Sequence, residues 1–168
     1  MRLFAALQPS QEVLESLASV QACLRARGVS ARYLDPANLH MTLAFIGQWP
    51  DDVSPLLPSV PQPFSLRLSR LGLFPEADVL WAGVETSGEL DALVALVRQR
   101  LDDNSIPYDR KPFVPHITLA RKPRLPHDGL LEELPVPHAV MTVRDVCLYR
   151  SDHLPQGMAY TVIGRSTP

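Results

Sequence analysis

Asn38-Leu-His-Met-Thr-Leu-Ala-Phe-Ile-Gly47 is the stretch that decides the fold, and a close copy of its centre returns as Val114-Pro-His-Ile-Thr-Leu-Ala-Arg121. Both stretches alternate in the way that predicts a β-strand. Residues two apart on a strand point to the same side, so the histidine and the threonine of each copy share one face. The sequence therefore predicts two strands that each present an imidazole beside a hydroxyl.

The segments around these strands are repeated as well. Arg2 to Leu7 and Val79 to Glu85 are strand-like, and each leads into a helical pattern; Thr86 and Glu89 form a possible capping box for the second helix. The predicted buried stripes are Val13, Leu14, Leu17, Val20 and Leu24 in the first helix and Leu90, Leu93, Val94, Val97 and Leu101 in the second. The repeated order of strand, helix and histidine strand indicates an internal duplication.

Two predicted hairpins complete the organisation of the chain. Their strands are expected at 64–73 with 79–85 and at 139–149 with 158–163. The predicted fold class is α+β: a bilobal, internally duplicated fold with two mostly antiparallel sheets, outer helices and a central cleft related by a pseudo-twofold axis. Residues 1–168 are expected to form this single two-lobed domain, with sequence repeats at approximately 1–78 and 79–168.

The composition narrows the possible partners. A net charge of -2 argues against a protein that coats nucleic acid through a broad basic face. The opening MRLFAALQPS has too short an apolar run for a signal peptide or a membrane span, so we expect a cytoplasmic protein without a membrane partner. A monomer is also expected. Cys23 and Cys147 are far apart and are interpreted as buried thiols. The segment from Asp109 to Arg124 is locally basic and could hold a phosphate, or could be a solvated loop.

A pair of histidines on opposing strands suits phosphodiester chemistry. A neutral imidazole can remove a proton from the nucleophile while a protonated one donates to the leaving oxygen. The ordinary pKa of histidine makes both forms available near neutral pH. Two hydroxyls and an arginine can hold the non-bridging oxygens. Two histidines with threonine neighbours lack the third and fourth ligands that zinc normally needs, so neither a metal nor a cofactor is predicted.

With these residues the chain resembles the two-histidine (2H) phosphoesterase superfamily, and within it the RNA 2',3'-cyclic phosphodiesterases, also called 2'-5' RNA ligases. The resemblance rests on Arg2-Leu-Phe-Ala-Ala6, on the two histidine stretches, and on Leu148-Tyr-Arg-Ser151 with Gly157 and Tyr160. The chain departs from the family at Asp51 to Pro63, which is short and broken by prolines. An outer helix of the first lobe is therefore expected to be missing or reduced to a turn.

The resemblance implies hydrolysis of a 2',3'-cyclic phosphate at an RNA 3' terminus to a 2'-phosphomonoester, with reversible 2'-5' joining as a related activity. It implies that His40 is the general acid toward O3' and His116 the general base toward water, a choice that the two motifs themselves do not make. The implied phosphate-binding residues are Thr42, Thr118 and Arg121. Phe45 is expected either to contact the terminal nucleoside or to serve packing.

Two alternatives stay open at this point. The substrate could be a small cyclic nucleotide or a 2'-5' linked oligonucleotide instead of an RNA end. The protein could also be a non-catalytic module that binds RNA termini, in which the histidines only recognise phosphate.

Overall fold

Two antiparallel β-sheets and two 16-residue helices account for most of the computed structural model, which describes residues 1–85 and 87–167. In chain order the elements are β1 (Arg2–Leu7), α1 (Gln11–Ala26), β2 (Ser30–Tyr33), β3 (Met41–Gln48), β4 (Phe64–Phe74), β5 (Val79–Val84), α2 (Gly88–Asp103), β6 (His116–Arg124), α3 (Leu130–Glu133), β7 (Val140–Val143), β8 (Cys147–Leu154) and β9 (Gly157–Arg165). The first sheet has the strand order β3-β1-β8-β9 and the second β2-β6-β5-β4-β7. This architecture agrees with the predicted α+β class.

The two helices form where the predicted stripes place them. All five predicted residues of α2 are buried, and in α1 the buried residues are Val13, Leu17, Gln21 and Leu24. Ser10 and Ser87 cap the helices by accepting hydrogen bonds from backbone N–H groups three residues later. The predicted capping residue Thr86 lies outside the described residues. Across the described part of the chain, no helix has both the length and the apolar character needed to cross a bilayer.

One large apolar core is shared by both sheets and both helices. Met41 and Leu43 of β3 and Ile117 and Leu119 of β6 are at most 1% exposed within it. The intervening Thr42 is only half-buried and points to the other side of its strand. A smaller apolar cluster therefore forms on the opposite face of the first sheet, and it comprises Phe4, Ala6, Cys147 and Tyr149 with Phe45, Tyr160 and Val162 packed against them.

The predicted hairpin of β4 with β5 is confirmed, and the predicted strand at 139–149 is wrong. The chain leaves the second sheet after β7 and enters the first sheet as β8, beside β1. Between them the buried Val146 exchanges hydrogen bonds with Ser166, a contact between distant residues that no local pattern encodes. The strand β8 runs on to Leu154, so the turn into β9 is tighter than predicted, and Gly157 allows it with a φ of 128°.

Each half of the chain contributes strands to both sheets. The strand β2, which the sequence analysis did not predict, comes from the first half and pairs with β6, whereas β8 and β9 come from the second half and join the first sheet. The predicted single domain with repeats at 1–78 and 79–168 stays a prediction. At 51–63 the structure has a short 3₁₀ turn, Ser54–Leu56, as the departure from the family indicated.

Gln21 is a buried polar residue that fastens α1 to the second sheet. Its side chain is 2% exposed, and Nε2 donates to the carbonyls of Leu34, at 2.9 Å, and Leu119, at 3.0 Å. Leu119 lies on β6 and Leu34 just beyond β2, so one amide group holds both strands against the helix.

We expect Gln21→Ala to lower the free energy of unfolding by about 1–3 kcal/mol, because two carbonyls lose a buried donor. Urea denaturation of the two proteins measures the difference. Gln11→Ala, an exposed change in the same helix, is the control and should stay within about 0.5 kcal/mol of the parent protein. Equal effects of the two substitutions would contradict the assigned role of Gln21.

Candidate active site

Each motif histidine is held by the backbone carbonyl two residues before it. The ring Nδ1 of His40 lies 2.7 Å from the carbonyl oxygen of Asn38, and Nδ1 of His116 lies 2.6 Å from that of Val114. A carbonyl oxygen only accepts hydrogen bonds, so Nδ1 carries the proton in both neutral rings. Nε2 of each ring is therefore left as the free base.

Aromatic side chains support both imidazoles. The ring centroid of Phe4 is 4.6 Å from that of His40, and the ring of Tyr160 meets His40 edge-on at 5.1 Å. His116 packs edge-on against Phe74 at 4.9 Å, with Trp81 behind it at 6.3 Å. The apolar rings fix the tilt of each imidazole and remove water from it.

Burial dominates the electrostatics of the two histidines. The pKa of His40 is lowered to about 4, mainly by desolvation and also by positive charge on Arg121 and His116, although the hydrogen bond to the Asn38 carbonyl opposes the shift. Desolvation also lowers the pKa of His116. In the free protein both imidazoles are thus predominantly neutral at pH 7.

Residues of both histidine strands line one cavity of about 670 Å³. Thr42 and Phe45 reach it from β3, and His116 and Thr118 reach it from β6. Further lining residues include the aromatic Phe74 and Phe113 and the basic Arg98 and Lys111. Two strands from different sheets therefore meet at one space with hydroxyls, an imidazole and aromatic rings in its wall.

Three hydrogen bonds connect β3, α2 and the segment that leads to β6. The backbone N–H of Asp109 donates to the carbonyl of Phe45 at 2.8 Å. Arg98 of α2 donates from Nε to the carbonyl of Leu43 and from a terminal nitrogen to that of Lys111. The loop that leads to His116 is thereby fastened to β3.

A second cavity, of about 420 Å³, lies on the Arg121 side of the site. Arg121 is exposed and lines it together with Asn38 and Tyr160. Tyr160 is also the ring that packs against His40, so this cavity borders the first histidine.

Of the predicted site residues, Thr42, Thr118 and His116 share the larger cavity, Arg121 lines the smaller one, and His40 lines neither. Phe45 lies in the wall of the larger cavity with the Arg2 guanidinium 5.0 Å from its ring centroid. Among the described residues, no group of three or more histidine, cysteine, aspartate or glutamate side chains is placed to hold a metal ion.

Asn38 has a structural role that the sequence did not reveal. Its side-chain nitrogen donates to the carbonyl of Met158, and its side-chain oxygen accepts from the N–H of Tyr160, which connects β9 to the residue whose carbonyl orients His40. The residue was visible in the motif, but its partners are about 120 residues away. Only the folded chain shows the connection.

The chain is similar to known proteins in sequence and in fold. Residues 9–154 match the family model described as the 2'-5' RNA ligase superfamily. The chain is 35% identical over 186 aligned positions to an RNA 2',3'-cyclic phosphodiesterase of Thermus thermophilus. That match covers 97% of this chain and 88% of the relative. It is also 35% identical over 128 residues to one from Geobacillus stearothermophilus, but that match spans 68% of this chain and only 41% of the relative.

A solved structure shares the fold. The crystal structure of E. coli LigT complexed with 3'-AMP superposes with a TM-score of 0.81 at 27% identity, over 98% of this chain and 95% of that one. This likeness confirms the predicted fold class.

We expect the ring of His40 to titrate near pH 4 in the free protein, because burial and Arg121 both oppose its charged form. Saturating inorganic phosphate should raise this pKa, since an anion beside Arg121 offsets the arginine's charge. A pH titration of the ring nitrogens by NMR measures both values, with His40→Gln used to assign the signal. Titration of His40 at pH 6.5 or above without phosphate would contradict the described environment.

Proposed function

The chain belongs to the 2'-5' RNA ligase superfamily, and from this membership and the site geometry we propose that it is a hydrolase that opens a 2',3'-cyclic phosphate at an RNA 3' terminus, leaving a 2'-phosphomonoester. The observation that carries the proposal is that residues of both histidine motifs line one cavity. Thr42 from one sheet and His116 and Thr118 from the other line that cavity, and a positive charge on His116 lowers the pKa of His40.

The proposed reaction uses the free Nε2 atoms of the two imidazoles. Neutral His116 accepts a proton from water as the water oxygen bonds to phosphorus. The bond from phosphorus to O3' breaks, and protonated His40 gives its proton to O3'. The assignment of acid to His40 and base to His116 follows the family resemblance.

The acid role requires a proton on His40, whose pKa is about 4 in the free protein. Substrate binding raises the pKa of His40, because the negative charge of the cyclic phosphate stabilises the imidazolium. In the free protein the positive charge of Arg121 disfavours protonation of His40. A bound phosphate that pairs with the guanidinium offsets this charge. Protonation of the acid is in this way coupled to binding of the substrate.

The two threonines and Arg121 are proposed to bind the non-bridging oxygens. Thr42 and Thr118 lie on the same strand faces as their histidines, so their hydroxyls can donate to oxygens of the phosphate between them. The guanidinium of Arg121 can neutralise the charge that builds up during attack. These groups supply the stabilisation without a metal ion or a cofactor.

The aromatic part of the larger cavity is proposed to hold the terminal nucleoside. Phe45, Phe74 and Phe113 give it an apolar wall against which a base can stack. Phe45 is the proposed nucleoside contact, since it lies on β3 close to Thr42.

The same site accounts for reversible 2'-5' joining as a proposed related activity. If the 5'-hydroxyl of a second RNA takes the place of water, the histidine that serves as base accepts its proton. The oxygen then bonds to phosphorus, O3' leaves with the proton of the acid, and the product is a 2'-5' phosphodiester.

The purified protein should open an oligonucleotide with a 2',3'-cyclic phosphate in the presence of excess chelator and leave only a 2'-phosphate. Product analysis by mass spectrometry and phosphorus NMR identifies the ribose oxygen that keeps the phosphate. A 3'-phosphate product would contradict the proposed direction of ring opening. Loss of turnover on chelation would contradict the proposed metal-independent mechanism. Tight binding without turnover would instead identify a module that binds RNA termini.

His40→Ala and His116→Ala should each lower kcat by at least ~100-fold, the lower end of the effect of a general acid or base. His138→Ala is the matched control, because His138 is an exposed histidine that lines neither cavity. Steady-state kinetics on the same oligonucleotide compare the variants. A motif variant that turns over as fast as the control would lose its proposed role.

A further inference from the structure

A second arginine stands beside Arg121. Arg32 of β2 is the direct cross-strand partner of Arg121 on β6, and both side chains line the cavity of about 420 Å³. The strand β2 is the outermost of its sheet, and neighbouring strands lie about 4.8 Å apart. Arg32 therefore extends the positive surface by one strand spacing, away from the strand that carries His116.

This arginine pair has no acidic partner within residues 1–85 and 87–167. The ion pairs of that part of the chain all join other residues. Asp35 also lines the cavity, but its carboxylate accepts a hydrogen bond from the N–H of Ala37 and caps a 3₁₀ turn. Like charges directly opposite on a sheet are destabilising, and a bound anion would remove that cost.

The cavity also borders the proposed reaction centre. Arg121 belongs to both, and Tyr160 joins the cavity to the His40 ring. His153, Gln156 and Gly157, at and beside the turn from β8 to β9, also line the cavity and add polar groups to its wall. A chain that leaves the reaction centre on this side meets two guanidinium groups and a polar wall.

We propose that Arg32 and Arg121 form a second phosphate subsite, in which Arg32 binds the phosphate on the 5' side of the terminal nucleotide. The inference rests on the proposed function, because the cyclic phosphate must occupy the histidine site for the next phosphate to reach Arg32. A guanidinium fork matches the geometry of a phosphate, and its charge-assisted hydrogen bonds are strong. The subsite gives the enzyme a preference for nucleic-acid ends over nucleoside cyclic phosphates that carry no second phosphate.

The test compares three substrates that share adenosine 2',3'-cyclic phosphate: the nucleoside form, its 5'-phosphorylated form, and the dinucleotide with one 3'-5' linkage. At low ionic strength kcat/KM should be roughly tenfold or more higher for the second and third than for the first, the size expected of a charge-assisted hydrogen bond. The advantage should shrink as salt is added.

Arg32→Ala should reduce this preference to nearly one, because it removes the group that contacts the second phosphate. Arg67→Ala should keep the preference of the parent protein, since Arg67 is an exposed arginine on β4 that lines neither cavity. Thermal unfolding of both variants checks that each is folded under the assay conditions.

The outcomes separate the two proposals. Equal kcat/KM for all three substrates, or a preference that persists in Arg32→Ala, would overturn the subsite while the phosphodiesterase stands. A preference for the dinucleotide alone would point to its second nucleoside and also overturn it. If no substrate is turned over, the proposed function fails and the subsite fails with it.

Discussion

Each motif histidine donates a hydrogen bond from Nδ1 to the backbone carbonyl two residues earlier in the chain, just before its strand begins, at 2.7 Å for His40 and 2.6 Å for His116. This hydrogen bond fixes the tautomer of the imidazole and turns Nε2 away from the backbone. It is local, because it needs only the backbone conformation at the start of the strand. The same backbone arrangement occurs at the start of both histidine strands. Asn38 strengthens the first copy, because its side chain is bonded to β9 while its carbonyl holds the ring.

The groups that hold the histidines also set their protonation. Packing against Phe4 and Tyr160 orients His40 but desolvates it, and the nearby Arg121 adds a repulsive charge, so its pKa falls to about 4. In the proposed mechanism His40 becomes protonated, and so able to act as the acid, when the phosphate anion binds. In that mechanism one feature, an imidazole on an apolar surface beside a fixed cation, orients the ring, favours a phosphate ligand and delays protonation until the ligand binds.

Local sequence patterns were sufficient to predict the helices and strands that do not depend on a distant partner. The stripe of α2 is buried as predicted, and the alternation around His40 and His116 gave two strands whose apolar residues face the core. The predictions failed where a strand depends on a distant partner. The four-residue β2 has no distinctive pattern and exists because β6 pairs with it, and the break between β7 and β8 reflects contacts of Val146 with Ser166.

The sequence by itself determined which residues share a strand face, which helix faces are apolar, and that the histidine motif occurs twice, because strand and helix periodicity is set by the backbone. It also carried the family resemblance. Only the tertiary structure decided that β3 and β6 meet at one cavity, that Asn38 is bonded to β9, and that Arg32 stands opposite Arg121. These relations join residues far apart along the chain, and their geometry depends on strand order and register, which local periodicity does not encode.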